Sequence, residues 1–337
     1  MFDHHVAIKN VCAWPNLTLM PDGSVIATIY NQPIHGAWEG DVECWASTDQ
    51  GRTWQKRGAA AVHEPTKNRM NVAAGLARNG DMVVLASGWT NREKPGGGWP
   101  ERGALLPAVV SRSSDGGRTW RTCGPLPRPD GMTCIIPFGD VTPAADGSLV
   151  AAGYACPGDD DTWSNTSNSS YIVRSRDDGE TWTDLHLIGA DDFNETDILH
   201  LGEGRWLAAC RTLRAAHVHL FASTDDAHTW HAMQPVTMPR QPPPHLLRLA
   251  ADPIPLTSGN RSTNNFGVDT RIRHDNGDTW SAPLRLVTYP DADSGYPSTV
   301  QFADGRCLTA YYHGAKAGSS DYHMGVVHWS PPDAARR

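Results

Sequence analysis

The residues whose types and spacing could do chemistry locally are few, and most of them read as structure. His217-Val218-His219 sets two imidazoles on one face of a strand, a spacing that a metal ion can use. The sequence offers no third ligand nearby, so placement on a strand is the simpler reading. Asp159-Asp160-Asp161, with serines and asparagines running on to Ser170, is oxygen-rich like a calcium loop, but a solvated polar loop is the expected reading. The glycines of Gly96–Trp99 lack the strand-to-helix context of a phosphate loop. They fit a mobile rim loop, residues 90–106, placed to cover a site. The seven cysteines (Cys12, Cys44, Cys123, Cys134, Cys156, Cys210 and Cys307) are odd in number, widely scattered and never spaced C-x-x-C. Buried reduced thiols are expected. No metal or other cofactor is expected.

The aspartates carry the strongest pattern. S-x-D-x-G-x-x-W occurs intact at Ser47–Trp54, Ser113–Trp120 and Ser175–Trp182. It recurs at Ser223–Trp230 with Ala227 in the glycine place, and at Arg273–Trp280 with Arg273 in the serine place. Asp holds a turn by accepting backbone N–H groups, Gly supplies a positive φ, and Trp packs beneath as an anchor. These are structural staples rather than catalytic groups. Around each copy the chain also repeats. A strand runs to a turn such as Asp22-Gly23, Asn79-Gly80, Asp146-Gly147, Glu203-Gly204 or Asp304-Gly305, and a second apolar strand follows, for example SVIATIY or SLVAAGY. A variable loop leads to a third strand that enters the aspartate motif, and a fourth follows the Trp. Four-stranded meanders repeated in this way are propeller blades.

Five motif-bearing units plus residues 284–330 predict an all-β, six-bladed propeller of four-stranded antiparallel blades, forming one domain over residues 1–337. Residues 5–12 are expected to supply the last blade's fourth strand, and residues 331–337 to form a frayed tail. Gly (32) and Pro (25) suit many tight turns. The formal net charge of -8 leaves no basic footprint for nucleic acid. No apolar run is long enough to span a membrane. The start, Met-Phe-Asp-His-His, has no basic and apolar leader, which predicts a cytoplasmic protein, or a secreted one where a leader has been removed.

The loops opposite the aspartate turns are where function is expected. There Glu195 opens the first strand of the fourth unit in NETDILHLGEGRWLAACRT, and Arg211 ends the next strand. Arg261 follows the second strand of the fifth unit in LTSGNRSTNNFGV, and Tyr296 opens the sixth in SGYPSTV. With these segments the chain resembles the sialidase (neuraminidase) superfamily over nearly its whole length. The resemblance implies that Tyr296 is a nucleophile, that Glu195 takes its proton, and that Arg211 and Arg261 grip a substrate carboxylate. A tyrosine suits a sugar with a carboxylate on its anomeric carbon, which would repel a carboxylate nucleophile.

Blade one departs from the family. Where sialidases carry Arg-x-Pro, the chain reads Cys12-Ala13-Trp14-Pro15-Asn16. Arg69, in KNRMN, is expected to reach the same channel and substitute. The family's acid lies on the loop that here reads NQPIHGAWEGD. Glu39 is the expected acid, with Trp38 as an apolar wall that raises its pKa, followed by Asp41 and then His35. The expected function is an exo-acting glycoside hydrolase on a terminal acidic sugar, with weaker action on ordinary sialosides. The alternatives are a polysaccharide lyase or uronic-sugar glycosidase, with His35 or His245 moving protons, and a non-catalytic carbohydrate-binding propeller.

Overall fold

The computed structural model describes residues 2–11, 14–34, 36, 38–93, 101–273, 279–290, 293–314 and 321–332. After an N-terminal strand β1 (Asp3–Lys9), the chain runs as successive antiparallel meanders. The first is β2 (Asn16–Leu19), β3 (Val25–Tyr30), β4 (Val42–Ser47) and β5 (Gln55–Ala61). Then come β6 (Asn71–Leu76), β7 (Met82–Arg92), β8 (Glu101–Ser113) and β9 (Arg121–Thr122). Next are β10 (Ile136–Pro143), β11 (Leu149–Ala155), β12 (Ser169–Ser175) and β13 (Asp184–Gly189). They are followed by β14 (Phe193–Gly202), β15 (Arg205–Thr212), β16 (Val218–Ser223) and β17 (His231–Pro235). The next group is β18 (Pro244–Leu246), β19 (Ile254–Asn260), β20 (Gly267–Arg273) and β21 (Leu284–Thr288). The last is β22 (Gly295–Gln301), β23 (Cys307–Gly314) and β24 (Tyr322–Trp329).

This is an all-β propeller, but the expectation of six separate blades needs correcting. Four sheets of four strands stand alone, while β6–β13 form one eight-stranded sheet. The join is a parallel pairing of two first strands, with Gly139, Asp140 and Val141 opposite Ala73, Ala74 and Gly75. Gly75 permits the approach, since a Cβ there would lie 2.3 Å from the Val141 carbonyl oxygen. Residues 90–106, expected as a loop, are partly strand: β7 and β8 extend to Arg92 and from Glu101.

Ring closure uses β1, which pairs antiparallel with β24. The strand is Asp3–Lys9 rather than residues 5–12, because Asn10 turns the chain at positive φ towards β2. Second strands such as β3 and β11 are buried along their whole length between neighbouring sheets, which is why they read as apolar runs. Outer strands such as β17 are mostly exposed.

The aspartate motifs bridge third and fourth strands. Asp49 Oδ1 accepts the Arg52 and Thr53 N–H groups at 3.1 and 2.9 Å, and Ser47 Oγ accepts that of Gly51 at 2.7 Å. Trp54 Nε1 donates to the Gly51 carbonyl at 3.0 Å. Asp115 and Asp225 repeat the arrangement with Thr119 and Thr229. In the fifth copy, residues 274–278 lie outside the described residues.

Candidate active site

Local irregularity in two first strands builds the site. The β14–β15 ladder shifts register between Phe193 and Thr196, and the β22–β23 ladder between Gly295 and Ser298. Glu195 and Tyr296 sit inside these irregularities, which re-aim side chains away from the strict pleat. Tyr296 holds φ 52° and Trp14 φ 63°. That left-handed backbone is costly for bulky residues, by roughly 1–3 kcal/mol each, and collects at functional sites. The two rings meet edge to face, with centroids 5.7 Å apart.

Tyr296 Oη donates to Glu195 Oε1 at 2.6 Å. Arg211 Nη1 donates to Glu195 Oε2 at 2.5 Å and to Tyr296 Oη at 3.2 Å. Arg261 Cζ lies 5.3 Å from the Tyr296 ring centroid, and its Nε and Nη2 donate to the Ser294 carbonyl. Tyr296 and Glu195 are almost fully buried. Burial, reinforced by the Glu195 carboxylate, pushes the phenol up to about 12 against the pull of Arg211 and Arg261. Burial opposes the Arg211 charge, but Glu195 and Tyr296 more than offset it and hold that guanidinium above its ordinary value. The phenol is therefore protonated at neutral pH, and its proton already points at the base that would take it.

These residues line a cavity of about 190 Å³ with Trp14, Asn71, Arg102, Tyr154, Trp163, Asn165 and Asn194. Arg102 is the residue that sequence reasoning missed. It lies on β8, its Cζ 4.7 Å from the Trp89 ring centroid, and burial lowers its pKa. The cavity therefore holds three guanidinium groups, one from a blade whose repeat pattern did not mark it. The available signal was a long hairpin, because Asn91 and Arg102 pair across β7 and β8 well beyond the shared blade length.

Arg69, expected to substitute for the missing arginine, does not line this cavity. It is buried in the wall, with Nη1 donating to the Pro107 carbonyl at 2.7 Å. The blade-one carboxylates are also held elsewhere. Asp41 Oδ1 accepts the His63 N–H at 2.8 Å and lies 2.6 Å from His63 Nδ1. Glu39 is half exposed, accepts the Thr66 N–H at 2.8 Å, and sits 3.6 Å from His63 Nε2. The reason is the backbone after Gly40, where a bridge to Asn68 ties the loop's end to the segment entering β6. Trp38 presents its carbonyl to Tyr30 Oη at 2.5 Å and does not wall the cavity. His35 lies outside the described residues. Gly36 is described, and a Cβ there would lie 2.8 Å from Arg102 Nη2, so the loop does reach the cavity's edge.

His245 lies deeper. A cleft of about 20 Å³ shares Trp14 and Tyr296 with the cavity and continues to Asn16 and His245. His245 Nε2 is 3.5 Å from Asp140 Oδ2. Asp197 accepts the backbone N–H groups of Asp140 at 3.2 Å and Leu246 at 2.6 Å, tying β14 to β10 and β18. Burial and Asp140 push the Asp197 carboxyl up to about 7. Burial opposes the His245 charge, but Asp140 and Asp197 together raise it above its ordinary value. A larger cavity of about 440 Å³ is lined by the other ends of the first strands, including Leu19, Leu76, Pro143 and Gln301.

The BNR repeat-like domain matches residues 38–309, and the chain belongs to that family, within the propellers of the sialidase superfamily. It is 24% identical over 243 residues to a sialidase of Clostridium perfringens, covering 66% of this chain and 61% of that protein. The chain thus spans about three fifths of that relative's length. A Dyadobacter fermentans protein of unknown function has the same fold, with a TM-score of 0.81, 21% identity, and 98% of each chain covered. A Trypanosoma rangeli sialidase in complex with sialic acid gives a TM-score of 0.68 at 15% identity, over 96% of this chain and 54% of that one.

Proposed function

We propose that this protein is a glycoside hydrolase of sialidase type that releases a terminal acidic sugar. The observation that carries the reading is the 2.6 Å hydrogen bond from the Tyr296 hydroxyl to buried Glu195, inside a cavity with three arginines. Glu195 takes the phenol proton as the Tyr296 oxygen attacks the anomeric carbon and the glycosidic bond breaks, the leaving oxygen taking a proton from solvent. Water then cleaves the tyrosyl–sugar bond and frees the sugar while Glu195 returns the proton to Tyr296. Arg211 stabilises the Glu195 carboxylate before the first transfer. Arg102 and Arg261, with Arg211, bind the substrate's carboxylate through planar donor pairs. Asn71, Asn165 and Asn194 offer amides to the sugar's hydroxyls, and Trp14 replaces the family's first-blade arginine with an apolar face. We count β6–β9 and β10–β13 as two blades joined at the axis, which makes the propeller six-bladed.

A second reading is favoured by one observation. Glu39 and Asp41 are engaged by His63 and Thr66, and Glu195 is the only carboxylate among the described residues lining the cavity. Without an acid from that loop, Tyr296 and Glu195 would serve proton abstraction in a lyase, or the cavity would only bind. Incubation with fluorogenic sialic and uronic acid glycosides separates these outcomes. Hydrolysis releases the free sugar; a lyase leaves an unsaturated product absorbing in the ultraviolet. Turnover of no acidic glycoside overturns the enzyme reading.

A further inference from the structure

We propose that the site has a second lobe that holds a second sugar unit, and that Arg240 reads an acidic group on that unit. The proposal rests on the glycosidase reading above. A cavity of about 350 Å³ is lined by Arg211, Ala216, Arg240, Pro242, Arg261 and Asp293. It shares Arg211 and Arg261 with the Tyr296 cavity, so the two are lobes of one depression divided by that pair. The Tyr296 lobe alone is smaller than the roughly 300–1,000 Å³ of ordinary ligand clefts, and the two together fall inside that range. The added space suits a second sugar.

Arg240 is exposed but anchored. Its backbone is in the left-handed region at φ 66°, as is that of Ala216 at φ 50°. The Gln241 N–H donates to the Ala216 carbonyl at 3.2 Å, and the Arg261 N–H to the Arg240 carbonyl at 2.7 Å. Arg240 Nε in turn donates to the Arg261 carbonyl at 2.8 Å. Its two terminal nitrogens make no hydrogen bond among the described residues. A guanidinium fixed at Nε with Nη1 and Nη2 open is set for a carboxylate.

The charge balance defines the ligand further. Among the described residues Arg211 is paired with Glu195 and Arg261 is assigned to the first sugar's carboxylate, which leaves Arg240 as the cation of this lobe, with Asp293 at its other end. Asp293 accepts the hydroxyls of Tyr312, at 2.7 Å, and of Tyr322. The lobe thus has a net positive end at Arg240 and an acceptor end at Asp293. That pattern fits a sugar with one carboxylate and several hydroxyls, and the preferred substrate ends in two adjacent acidic sugars.

The test is direct binding by titration calorimetry to the full chain carrying Tyr296→Phe, which separates recognition from turnover. One probe is a disaccharide of two linked sialic acids; the other is sialic acid joined to lactose. The two-acid probe is expected to bind at least about tenfold more tightly at low salt. Arg240→Gln in that background should bring the two probes to similar affinity. A second readout needs no change at Arg240: the preference should shrink in about 0.5 M NaCl, where screening is strong. Equal affinities, or a preference insensitive both to salt and to Arg240→Gln, overturn the inference and leave the glycosidase reading standing. Binding of neither probe overturns both.

Discussion

At the scale of single residues, the chemistry rests on two side chains acting as one unit. Tyr296 needs a partner to lose its proton at neutral pH, because burial holds the phenol near 12. Glu195→Gln should therefore lower kcat by roughly 10²–10⁴-fold while the protein stays folded. Tyr296→Phe should do at least as much, and the double variant little more than either alone. Steady-state kinetics on an aryl glycoside, with thermal melts as the folding control, checks this; near wild-type rates in either variant refute the assignment. Arg102 adds a separate expectation. Arg102→Lys keeps a charge but loses the planar fork and the stack on Trp89, so KM should rise about tenfold or more with a smaller change in kcat. An unchanged KM removes Arg102 from the substrate's carboxylate.

At the scale of elements, the aspartate turns and the first strands contribute stability with opposite pH dependence. Partial burial opposes ionisation of Asp49, but hydrogen bonds from Thr53 and Arg52 and that of Ser47 bring its carboxyl down to about 2. A depressed pKa stabilises the fold above the unfolded value near 4, and that stability is lost as pH falls towards 2. Asp49→Ala should cost about 1–3 kcal/mol at neutral pH in urea unfolding and leave turnover unchanged, because the turn lies between β4 and β5. The cost should shrink below about pH 3. Asp197 runs the other way. Burial and Asp140 raise its carboxyl, so its contribution is fully present below the unfolded value near 4 and is lost as pH rises above it. Asp197→Asn should flatten the fall in stability as pH rises above about 4, whatever it does to the absolute level. A slope identical to wild type would mean that this carboxyl ionises normally.

At the scale of the whole molecule, the fold depends on a strand taken from the far end of the chain. β1 pairs with β24, and Ile8 packs in the cluster that joins this sheet to the next, with Leu17, Val25, Val300 and Leu308. Removing residues 2–9 should expose the β24 edge and lower unfolding stability by at least about 3 kcal/mol, from lost apolar burial and ladder bonds. Sedimentation should then show self-association, since an open edge strand pairs with other chains. A monomer of unchanged stability would mean that β1 does not close the ring.

The sequence by itself determined the repeat and therefore the class of fold. Each aspartate motif makes its bonds within eight residues, so local chemistry alone specifies the turns that separate the strands. The pairing of Tyr296 with Glu195 was also legible, because each opens a first strand and all first strands converge on one axis. Contacts between blades were not legible. Arg102 enters the cavity only because β7 and β8 outrun their blade, and nothing in the motif spacing records how far a hairpin leans over an axis. Glu39 and Asp41 sit on the expected loop, yet His63 and Thr66 from the following segment take them up. The eight-stranded sheet arises likewise from a glycine at 75 that lets two first strands pair. A linear sequence states what each residue can do, and in this protein it was the crowding of neighbouring blades around the axis that decided which partner each side chain met.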